Sequence, residues 1–481
     1  MSRIAVLGGG TSGLLVALVL ARAGHAVTLV EKDPLPGPVS PNRLLEAWHR
    51  PGTPQAQLPH GFMGRARQLL SQRSPDLLAT ILRAGALDFP LAPYIPGPER
   101  LAGDEDLAVI WCRRPLLESQ LWRAAEREAG LHLLTGGPAT GLLADGVDPV
   151  RVRGLRLASG EDLQVDLVID AAGRRSPVRG WLLAAGATLP PDSTQECGLI
   201  YYSRYYALRP GASFPRGPWM WGPRIELPFG MLMVHLADNG VFSISMAVST
   251  REPELRAIRE CGAFDAGAAL FAPLEPWLAV ATPISPVLAM GGLQNVLRPF
   301  RVDGAPIARG LVPLGDALCH TNAAYGWGVA MGMEHAYALG DALAAHGDDA
   351  EAVSLAYHAR VWPEAEARWR VASEQDRARM RAWRGEPADD ADTPHAAALR
   401  DITAASMADP VLFRALMRFV NLLDPSEVLL GDAALGASAR SALSGAPAPP
   451  RPKMPTQDEF VVELRRSGTT GSGPLEPKPE E

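Results

Sequence analysis

The sequence predicts an α/β fold, α+β overall, in which a parallel β-α-β part is interleaved with an antiparallel sheet and followed by a helical C-terminal region. Two short β-branched runs enclose a Leu/Ala-rich helical segment at the N-terminus. Aromatic and β-branched residues alternate between about residues 197 and 250. The chain after residue 346 is rich in Ala, Arg and Glu. With 481 residues, the chain is long enough to form more than one globular domain.

The first predicted part covers residues 1–190, with a substrate-side insertion around residues 60–110. Its first strand is Arg3–Leu7 and its second is Ala26–Glu31, and residues 13–23 between them form a helix closed by Gly24. The further elements predicted here are helices at residues 64–84 and 115–129 and strands at residues 150–157 and 162–169.

The second predicted part, residues 191–300, is an antiparallel-sheet domain that we expect to bind substrate. Its strands are residues 199–208, 225–236 and 241–248, the last two joined by a turn at residues 238–240. Residues 301–345 return to a strand and a long apolar helix, residues 346–435 are helical, and residues 436–481 form a loose Pro/Gly/Ser-rich tail. Within that tail, Thr456 and Glu459 form a capping-box pattern that predicts a short helix.

The composition of the chain argues against several classes of function. The net charge of −7 and pI near 5.9 give no basic surface for a nucleic acid. The longest uncharged stretch contains several prolines and glycines, which argues against a membrane-spanning helix, and we expect a cytoplasmic protein. The four cysteines lack zinc-ligand spacing, so no metal is expected. No lysine lies between Asp33 and Pro452, which excludes a lysine nucleophile there.

A glycine-rich turn follows the first predicted strand. Residues 8–13 read GGGTSG, which fits G-x-G-x-x-G, and the second strand ends at an acidic residue. This pattern is typical of a Rossmann-type dinucleotide-binding unit, in which the glycines allow a tight turn, close approach of a diphosphate and close helix packing. A tight turn that binds nothing is the alternative. The candidate cofactor-binding residues here are Gly8, Gly10, Thr11, Ser12, Gly13, Glu31 and Lys32.

Two further motifs occur at predicted strand ends. A strand ends in Gly315 and Asp316, and a short loop then leads to the sequence YGWG at residues 325–328 and an apolar helix. Asp316 could hold a ribitol hydroxyl, and glycines at a helix N-terminus can approach a ring or a phosphate. The other strand ends in DAAGRRSPVR at residues 170–179. An ordinary β-turn-α connection is the alternative for each. The candidate residues are Asp170, Gly173, Asp316, Gly326 and Gly328.

These three motifs, in this order, resemble those of the FAD-dependent monooxygenases of the para-hydroxybenzoate hydroxylase-like superfamily, in its epoxidase and hydroxylase branch. The resemblance implies FAD as cofactor, with the first glycine motif and Glu31 on the ADP half, Asp316 on the ribityl-pyrophosphate part and Gly326 and Gly328 beside the isoalloxazine. The pattern Arg-x-x-Leu-x-x-x-Leu, which begins at Arg114, matches a helix whose arginine contacts FAD in that family. By the same resemblance Arg50 is a second FAD-contacting arginine.

The chain also departs from that family pattern. Ala172 precedes the glycine of the third motif where the family more often has aspartate, and Ala323 replaces a proline usual in the loop beside the flavin. Flavin halogenases of this group need a tunnel lysine, which the chain lacks, so halogenation is not favoured despite a Trp-Met-Trp sequence at residues 219–221.

The function that the resemblance implies is an FAD-dependent monooxygenase that inserts one oxygen atom from O2, via a C4a-peroxyflavin, by hydroxylation or epoxidation. We expect a lipophilic or aromatic small-molecule substrate, of specialised metabolism. A second glycine pattern at residues 136–141 is interrupted by Pro138, so the reductant would be NAD(P)H bound without its own Rossmann domain, or a partner flavin reductase would supply reduced flavin. A reductase of isoprenoid-like double bonds and a non-catalytic flavin-binding protein are the alternatives.

Sequence alone identifies no catalytic side chain. In such enzymes the cofactor carries the difficult step, and the protein supplies shape and orientation. The pocket candidates lie in the antiparallel part, where four tyrosines alternate along one strand, although each could equally be structural. The oligomeric state stays open. The pocket candidates are Tyr202, Arg204, His235 and Trp221.

Overall fold

The structure is a computed structural model that describes residues 1–34, 39–40, 43–48, 50–146, 149–217, 220, 222–444 and 454–468. The chain divides into two compact units, each assembled from separate segments. Unit 1 comprises Met1–Cys197, Gln294–Ala378 and Asp389–Gly445, and unit 2 comprises Gly198–Leu293, Arg379–Ala388 and Ala446–Glu481.

A five-stranded parallel sheet forms the core of unit 1. Its central strand is Arg3–Leu7, which pairs with Ala26–Glu31 on one side and with Leu167–Asp170 on the other. Leu131–Thr135 and Leu311–Pro313 complete the two edges. The order of connection reverses at the central strand, and ligands of open α/β sheets bind in the crevice at the carboxyl ends of the strands beside such a point.

Helix Thr11–Arg22 follows the central strand and packs against helix Trp327–His346. The sequence predicted one helix over residues 64–84, but the structure has two, Gly64–Arg73 and Pro75–Arg83, because Pro75 forces Ser74 out of the helical conformation. The other helices that begin in unit 1 are Leu44–Ala47, Arg114–Ala125, Val178–Ala184, Ala350–Trp383, Pro394–Ser406, Pro410–Val420, Ser426–Leu430 and Ala433–Ser444.

Smaller sheets surround this core. One contains Gly61–Phe62, Leu87–Pro90 and Ala108–Trp111; a second contains Ala139–Asp145, Val150–Leu157, Asp162–Gln164 and Ala308–Arg309; a third contains Ser193–Glu196, Gln294–Leu297 and Cys319–His320; and a two-stranded ribbon contains Arg301–Val302 and Ala305–Pro306.

Unit 2 is built on an antiparallel sheet, as its alternating sequence predicted. The turn before Val241–Ser249 places Asn239 and Gly240 at positive φ, the conformation that Asn and Gly tolerate best. The strands, in sheet order, are Arg224–Leu227, Gly230–Leu236, Val241–Ser249, Leu199–Leu208 and Ala281–Pro283, and Leu288–Met290 also pairs with Leu199–Leu208. The helices of unit 2 are Cys261–Ala269, Glu275–Ala279 and Gln457–Gly468.

Helix Gln457–Gly468 packs on helix Cys261–Ala269. The predicted capping box is confirmed, since the Glu459 amide donates to the Thr456 hydroxyl over 3.2 Å and the Thr456 amide donates to the Glu459 carboxylate over 2.8 Å. The Phe460 ring is 2% exposed and lies 5.6 Å from the Phe229 ring, centroid to centroid. This C-terminal helix therefore belongs to the core of unit 2.

We expect Phe460→Ala to destabilise unit 2 by about 3 kcal/mol, because deletion of a buried phenylalanine ring removes its contacts and leaves a cavity. Val462, on the same helix, is 63% exposed. Val462→Ala is thus the matched control, for which we expect a change within about 0.5 kcal/mol. The free energy of unfolding from urea denaturation distinguishes the two variants. Equal effects would show that the helix is not packed as described.

No helix of the described residues is long and apolar enough to cross a membrane. Nor do these residues contain a cluster of three or more metal-binding side chains.

Candidate functional site

The glycine-rich turn joins strand Arg3–Leu7 to helix Thr11–Arg22. Gly8 has φ +104°, and a Cβ placed there would lie 2.5 Å from the carbonyl oxygen of Ala171. A Cβ at Gly13 would lie 1.9 Å from the carbonyl oxygen of Gly8. Among the described residues, a Cβ at Gly10 would meet only Arg114 Nη2 within 4 Å, at 3.6 Å. The first and third glycines are therefore required by the chain's own packing, whereas the second position has room for a methyl group.

The helix after this turn begins without a side-chain cap. Its N-cap is Gly10, which has no side chain to accept from the first amides of the helix. Uncapped amides and the helix dipole together favour an anion at such a position. The side chain of Ser12 faces the second motif, since its Oγ lies 3.0 Å from a Cβ placed at Gly315 and 2.0 Å from one placed at Gly332. Two motifs about 300 residues apart in sequence thus meet at one helix end.

Glu31 ends the second strand, and its side chain is buried. Its Oε2 accepts hydrogen bonds from the amide of Gly9 over 2.6 Å and from Arg50 Nη2 over 2.8 Å. Its Oε1 accepts from the amide of Asp33 over 2.8 Å. A carboxylate offers about four acceptor positions, so these bonds leave roughly one for a ribose hydroxyl. Lys32, beside it, is exposed, and its Cε lies 2.5 Å from a Cβ placed at Gly52.

Arg50 lies in the same buried cluster. Its side chain is 3% exposed, and it donates to Glu118 Oε2 over 2.6 Å as well as to Glu31. Burial lowers the pKa of this guanidinium, but Glu118, Glu31 and Asp33 raise it by more than burial lowers it. Arg50 therefore stays charged. The guanidinium also lies over the Trp48 ring, 5.3 Å from its centroid.

Glu118 is a buried acid that the sequence analysis missed. Its Oε1 accepts from Arg114 Nε over 2.7 Å and from the Thr11 hydroxyl over 3.1 Å. Burial alone would raise the pKa of this carboxyl, but Arg114 and Arg50 lower it to about 2. The signal in the sequence was a glutamate four residues after Arg114, a spacing that brings two side chains together on a helix.

The third motif, residues 170–179, is held by hydrogen bonds between its own residues. The side chain of Asp170 accepts hydrogen bonds from the Ser176 hydroxyl over 2.6 Å and from the Ala172 amide over 3.1 Å. Its carboxylate thus shapes the loop, whereas Gly173 at φ +77° has open space on its side-chain face. Burial raises the pKa of Asp170 to about 6, against the effect of these hydrogen bonds.

Replacement of Asp170 by asparagine tests this raised pKa. The folded protein keeps the Asp170 proton up to about pH 6, whereas the exposed group has a pKa of 3.8. The contribution of protonated Asp170 to the free energy of unfolding is therefore fully present below the unfolded pKa, and it is lost as the pH rises through about 6. We expect Asp170→Asn to be more stable than the wild type above pH 6, by about 2 kcal/mol.

Thermal unfolding of the flavin-free protein from about pH 4 to about pH 8 measures this effect. Asp166→Asn is the control, because the Asp166 side chain is 52% exposed. A wild-type pH slope that persists in Asp170→Asn would contradict the assignment.

The cation at the end of this motif does not point to the cofactor site. Arg179 donates to the carbonyl of Pro299 over 2.8 Å and to that of Pro190 over 2.5 Å, and it forms an ion pair with Asp192 over 3.0 Å. Arg298, in contrast, joins two motifs, since it donates to the carbonyl of Asp316 over 2.9 Å and to that of Arg174 over 2.9 Å. Sequence gave no signal for that role of Arg298.

The second motif places its acid against a helix N-terminus. A Cβ placed at Gly328 would lie 3.5 Å from Asp316 Oδ1. Gly326 is the N-cap of helix Trp327–His346 at φ +69°. The amide of Gly315 donates to His335 Nδ1 over 3.2 Å, and burial lowers the pKa of this imidazole to about 4, so His335 is a neutral acceptor at physiological pH.

A buried polar network shapes the loop in which Ala323 replaces proline. Asp376 accepts hydrogen bonds from Asn295 Nδ2 over 2.7 Å, Asn322 Nδ2 over 2.9 Å and the Tyr325 hydroxyl over 2.9 Å. The Asn322 side chain also caps the short 3-10 helix Ala323–Tyr325. These bonds fix the loop without the rigidity of a proline ring.

Several sequence-predicted residues of unit 1 thus meet in two groups at the carboxyl end of the parallel sheet. One is the glycine turn with Glu31, Arg50 and Arg114, and the other is Asp316 with Gly328; Ser12 connects them. Arg114 beside Gly10 and the helix N-terminus that follows fit a dinucleotide diphosphate.

The described pocket candidates of unit 2, which are Tyr202, Arg204 and His235, lie on two faces of its sheet. Tyr202 and Arg204 share one face, on which Arg204 donates to the carbonyls of Ser285 over 3.0 Å and Cys261 over 3.3 Å and pairs with Asp265. Arg204 therefore fastens its strand to helix Cys261–Ala269, which corrects the expectation that its charge faces a pocket. Trp219 and Trp221 lie outside the described residues.

His235 lies on the other face. It pairs with Ser243, which pairs in turn with Tyr205, and directly opposed residues share a face of an antiparallel sheet. The Ser203 and Ser245 hydroxyls hydrogen-bond over 2.8 Å on the same face. Burial, with a smaller effect of Arg224, lowers the pKa of His235 to about 4, so its imidazole is neutral at physiological pH. We name this surface the serine–tyrosine face.

Comparison with known proteins finds matches to part or most of the chain. Residues 3–114 match the family of FAD dependent oxidoreductases. A curated relative, protein Rv3254 of Mycobacterium tuberculosis, is 26% identical over 352 residues, which are 68% of this chain and 69% of the relative. The match covers the N-terminal part of the chain, which carries the glycine turn, and it supports FAD as the cofactor.

Solved structures share the fold. PqsL, a probable FAD-dependent monooxygenase from Pseudomonas aeruginosa, is similar with a TM-score of 0.58 at 17% identity, over 80% of this chain and 98% of PqsL. A triple mutant of the flavin-dependent brominase Bmp2 is similar with a TM-score of 0.58 at 17% identity, over 92% of this chain and 99% of Bmp2. At such identity these structures show the fold, which different flavin chemistries share.

Proposed function

We propose that this protein is an FAD-dependent monooxygenase that inserts one oxygen atom from O2 into a lipophilic or aromatic small molecule, by hydroxylation or epoxidation. The observation that carries the proposal is the meeting of the motifs at Ser12, which lies against Gly315 and Gly332. This contact brings the glycine turn, the acidic motif and helix Trp327–His346 together. The fold shared with a probable monooxygenase supports the reaction type.

When bound, FAD supplies the redox chemistry with O2, and the residues of this chain bind and orient it. The amides of helix Thr11–Arg22 and the guanidinium of Arg114 would hold the diphosphate. Glu31 would accept a ribose hydroxyl at its remaining acceptor position, and Asp316 would accept hydroxyls of the ribityl chain. The N-terminus of helix Trp327–His346 would lie beside the ring and favour negative charge on it.

We further propose that the serine–tyrosine face contacts the substrate. It carries hydroxyl groups, the neutral imidazole of His235 and aromatic rings. Ser243 is completely buried, and its Oγ has no hydrogen-bond partner among the described residues. A buried hydroxyl without a partner is costly, and a hydroxyl or carbonyl of a bound molecule would satisfy it. This surface suits an uncharged, partly aromatic substrate better than a phosphorylated one.

The first test is the visible spectrum of the purified protein without oxygen, before and after addition of NADPH. A flavin spectrum that bleaches, with reoxidation by O2 coupled to oxygenation of an added substrate, is the expected result. If the flavin bleaches only with a separate flavin reductase, the proposed oxygenation stands and the electrons come from that reductase.

Other outcomes contradict the proposal. Transfer of hydride to an isoprenoid double bond without O2 consumption would make the protein a reductase. A flavin that no reductant reduces would make it a flavin-binding protein without turnover. A colourless protein that takes up no FAD would overturn the cofactor assignment itself.

A further inference from the structure

Glu118 connects three parts of unit 1 at the glycine turn. Its side chain is 0% exposed and accepts hydrogen bonds from Arg114 Nε, Thr11 Oγ1 and Arg50 Nη1, over 2.7, 3.1 and 2.6 Å. Thr11 is the first residue of the helix after the turn, and Arg114 begins the helix that carries Glu118. One carboxylate thus fixes a helix start and two cations.

The bond to Nε determines how Arg114 can serve a ligand. Glu118 engages Nε and neither terminal nitrogen, and Nη2 lies 3.6 Å from a Cβ placed at Gly10. Gly10 is the N-cap of the helix that begins at Thr11. Terminal guanidinium nitrogens can bind a phosphate through two parallel hydrogen bonds.

We propose that Glu118 is a positioning residue: it does not touch the cofactor, but it sets Arg114 and Thr11 in the geometry that binds the diphosphate of the ADP half of FAD. The inference rests on the proposed cofactor site and adds to it a residue that holds the phosphate-binding group in place.

For loss of the Glu118 charge, local electrostatics and positioning predict opposite changes in the affinity for a diphosphate. The cluster holds two arginines, Arg50 and Arg114, against three acids, Glu31, Asp33 and Glu118. Its formal charge is therefore −1 before a diphosphate arrives. Neutralisation of Glu118 makes the site more positive, so electrostatics alone predicts tighter binding of a diphosphate. Positioning predicts weaker binding, because Arg114 loses a charged anchor.

The test is Glu118→Gln in the full-length, flavin-free chain, with ADP and riboflavin as separate probes. We expect the Kd for ADP to rise about tenfold, the size of one lost charge-assisted contact, and the Kd for riboflavin, which lacks the diphosphate, to stay unchanged. The dependence of the ADP Kd on NaCl should also weaken. A Kd for ADP equal to or below that of the wild type would overturn the inference.

Further variants separate positioning from a general loss of structure. Asp104 is a buried acid paired with Arg414 over 2.8 Å, away from the glycine turn. Asp104→Asn should lower the unfolding temperature yet leave the ADP Kd unchanged. Arg114→Met should match the loss in Glu118→Gln, and the double variant should lose no more than either single variant. Additive losses would overturn the inference.

Should Glu118→Gln fail to fold, Arg114→Lys keeps the charge but cannot bond Glu118 and a phosphate together. We then expect the same tenfold loss for ADP, and wild-type affinity in this variant would overturn the inference. Failure of the cofactor site itself would look different, since Arg114→Met would then bind ADP as the wild type does. Weak binding in Arg114→Met beside normal binding in Glu118→Gln would overturn only the role of Glu118.

Discussion

Replacement of Gly13 by alanine is expected to yield a protein that retains no FAD and unfolds at a lower temperature. The added methyl group would lie 1.9 Å from the Gly8 carbonyl oxygen and 3.2 Å from the Ala171 side chain. The first contact is with backbone, so relief requires the helix to move away from the turn. Such overpacking costs about 1–3 kcal/mol or more, and it moves the amides that face the diphosphate.

Gly10→Ala is the matched variant. Within the described part of the chain, a methyl group at Gly10 meets only Arg114 Nη2, at an ordinary contact distance of 3.6 Å. We expect the flavin-free protein to keep its unfolding temperature and to bind FAD more weakly, because the methyl group occupies space proposed for the diphosphate. Flavin absorbance after gel filtration and thermal unfolding of the flavin-free protein measure the two effects separately. Wild-type FAD content in Gly13→Ala would contradict the described turn.

Replacement of Arg50 by methionine is expected to destabilise unit 1 by about 3–5 kcal/mol at neutral pH, the cost of leaving buried charges unpaired. The Arg50 side chain is 3% exposed and pairs with Glu31, Glu118 and Asp33, whose side chains are 7%, 0% and 8% exposed. Without Arg50, three buried carboxylates would retain Arg114 as their remaining neighbouring cation in the cluster.

The pH dependence of this deficit has a definite sign. In the wild type the pKa of Glu118 is lowered to about 2, so its contribution is present above its unfolded value of 4.5 and lost only as the pH falls through about 2. In Arg50→Met one of the two cations that lower the pKa of Glu118 is lost, so burial raises this pKa and the folded variant takes up a proton on acidification. The difference in the free energy of unfolding should therefore shrink from about pH 7 to about pH 5.

Arg22→Met is the control for Arg50→Met. Arg22 pairs with Asp76 over 2.7 Å at the surface, where the Asp76 side chain is 59% exposed. Exposed ion pairs contribute about 1 kcal/mol or less. Guanidinium denaturation at several pH values measures both variants. A deficit in Arg50→Met as small as in Arg22→Met, or one that grows on acidification, would contradict the buried cluster.

The local parts of the site could be predicted from sequence. The glycine turn and the strands around it depend on residues within about 30 positions of one another. The turn residues, the glycine that ends the helix and the hydrophobic periodicity all predict the same β-α-β unit there. The pairing of Glu118 with Arg114 could also have been predicted, because the two residues are four positions apart on a helix. Sequence does not reveal its burial, however, and a Glu/Arg pair at this spacing is ordinarily a surface pair.

Long-range contacts could not be predicted from one sequence. Arg298 and His335 support the acidic motif through backbone groups, for which their residue types carry no signal. Alternation along strand Leu199–Leu208 predicts two faces but not which of them packs on helices. For that reason Arg204 was assigned to a pocket, although it pairs with Asp265 on helix Cys261–Ala269.

The position of helix Gln457–Gly468 in unit 2 has a consequence for synthesis of the chain. Phe460 completes an aromatic cluster with Phe229 and Phe271, which are translated about 190 to 230 residues earlier. At about 5–20 residues per second, the rings of Phe229 and Phe271 wait on the ribosome for roughly 10–45 s before Phe460 is made. During that time the nascent sheet is open to chaperones and to other nascent chains. Helix Gln457–Gly468 of unit 2 is thus made after the whole of unit 1, which ends at Gly445.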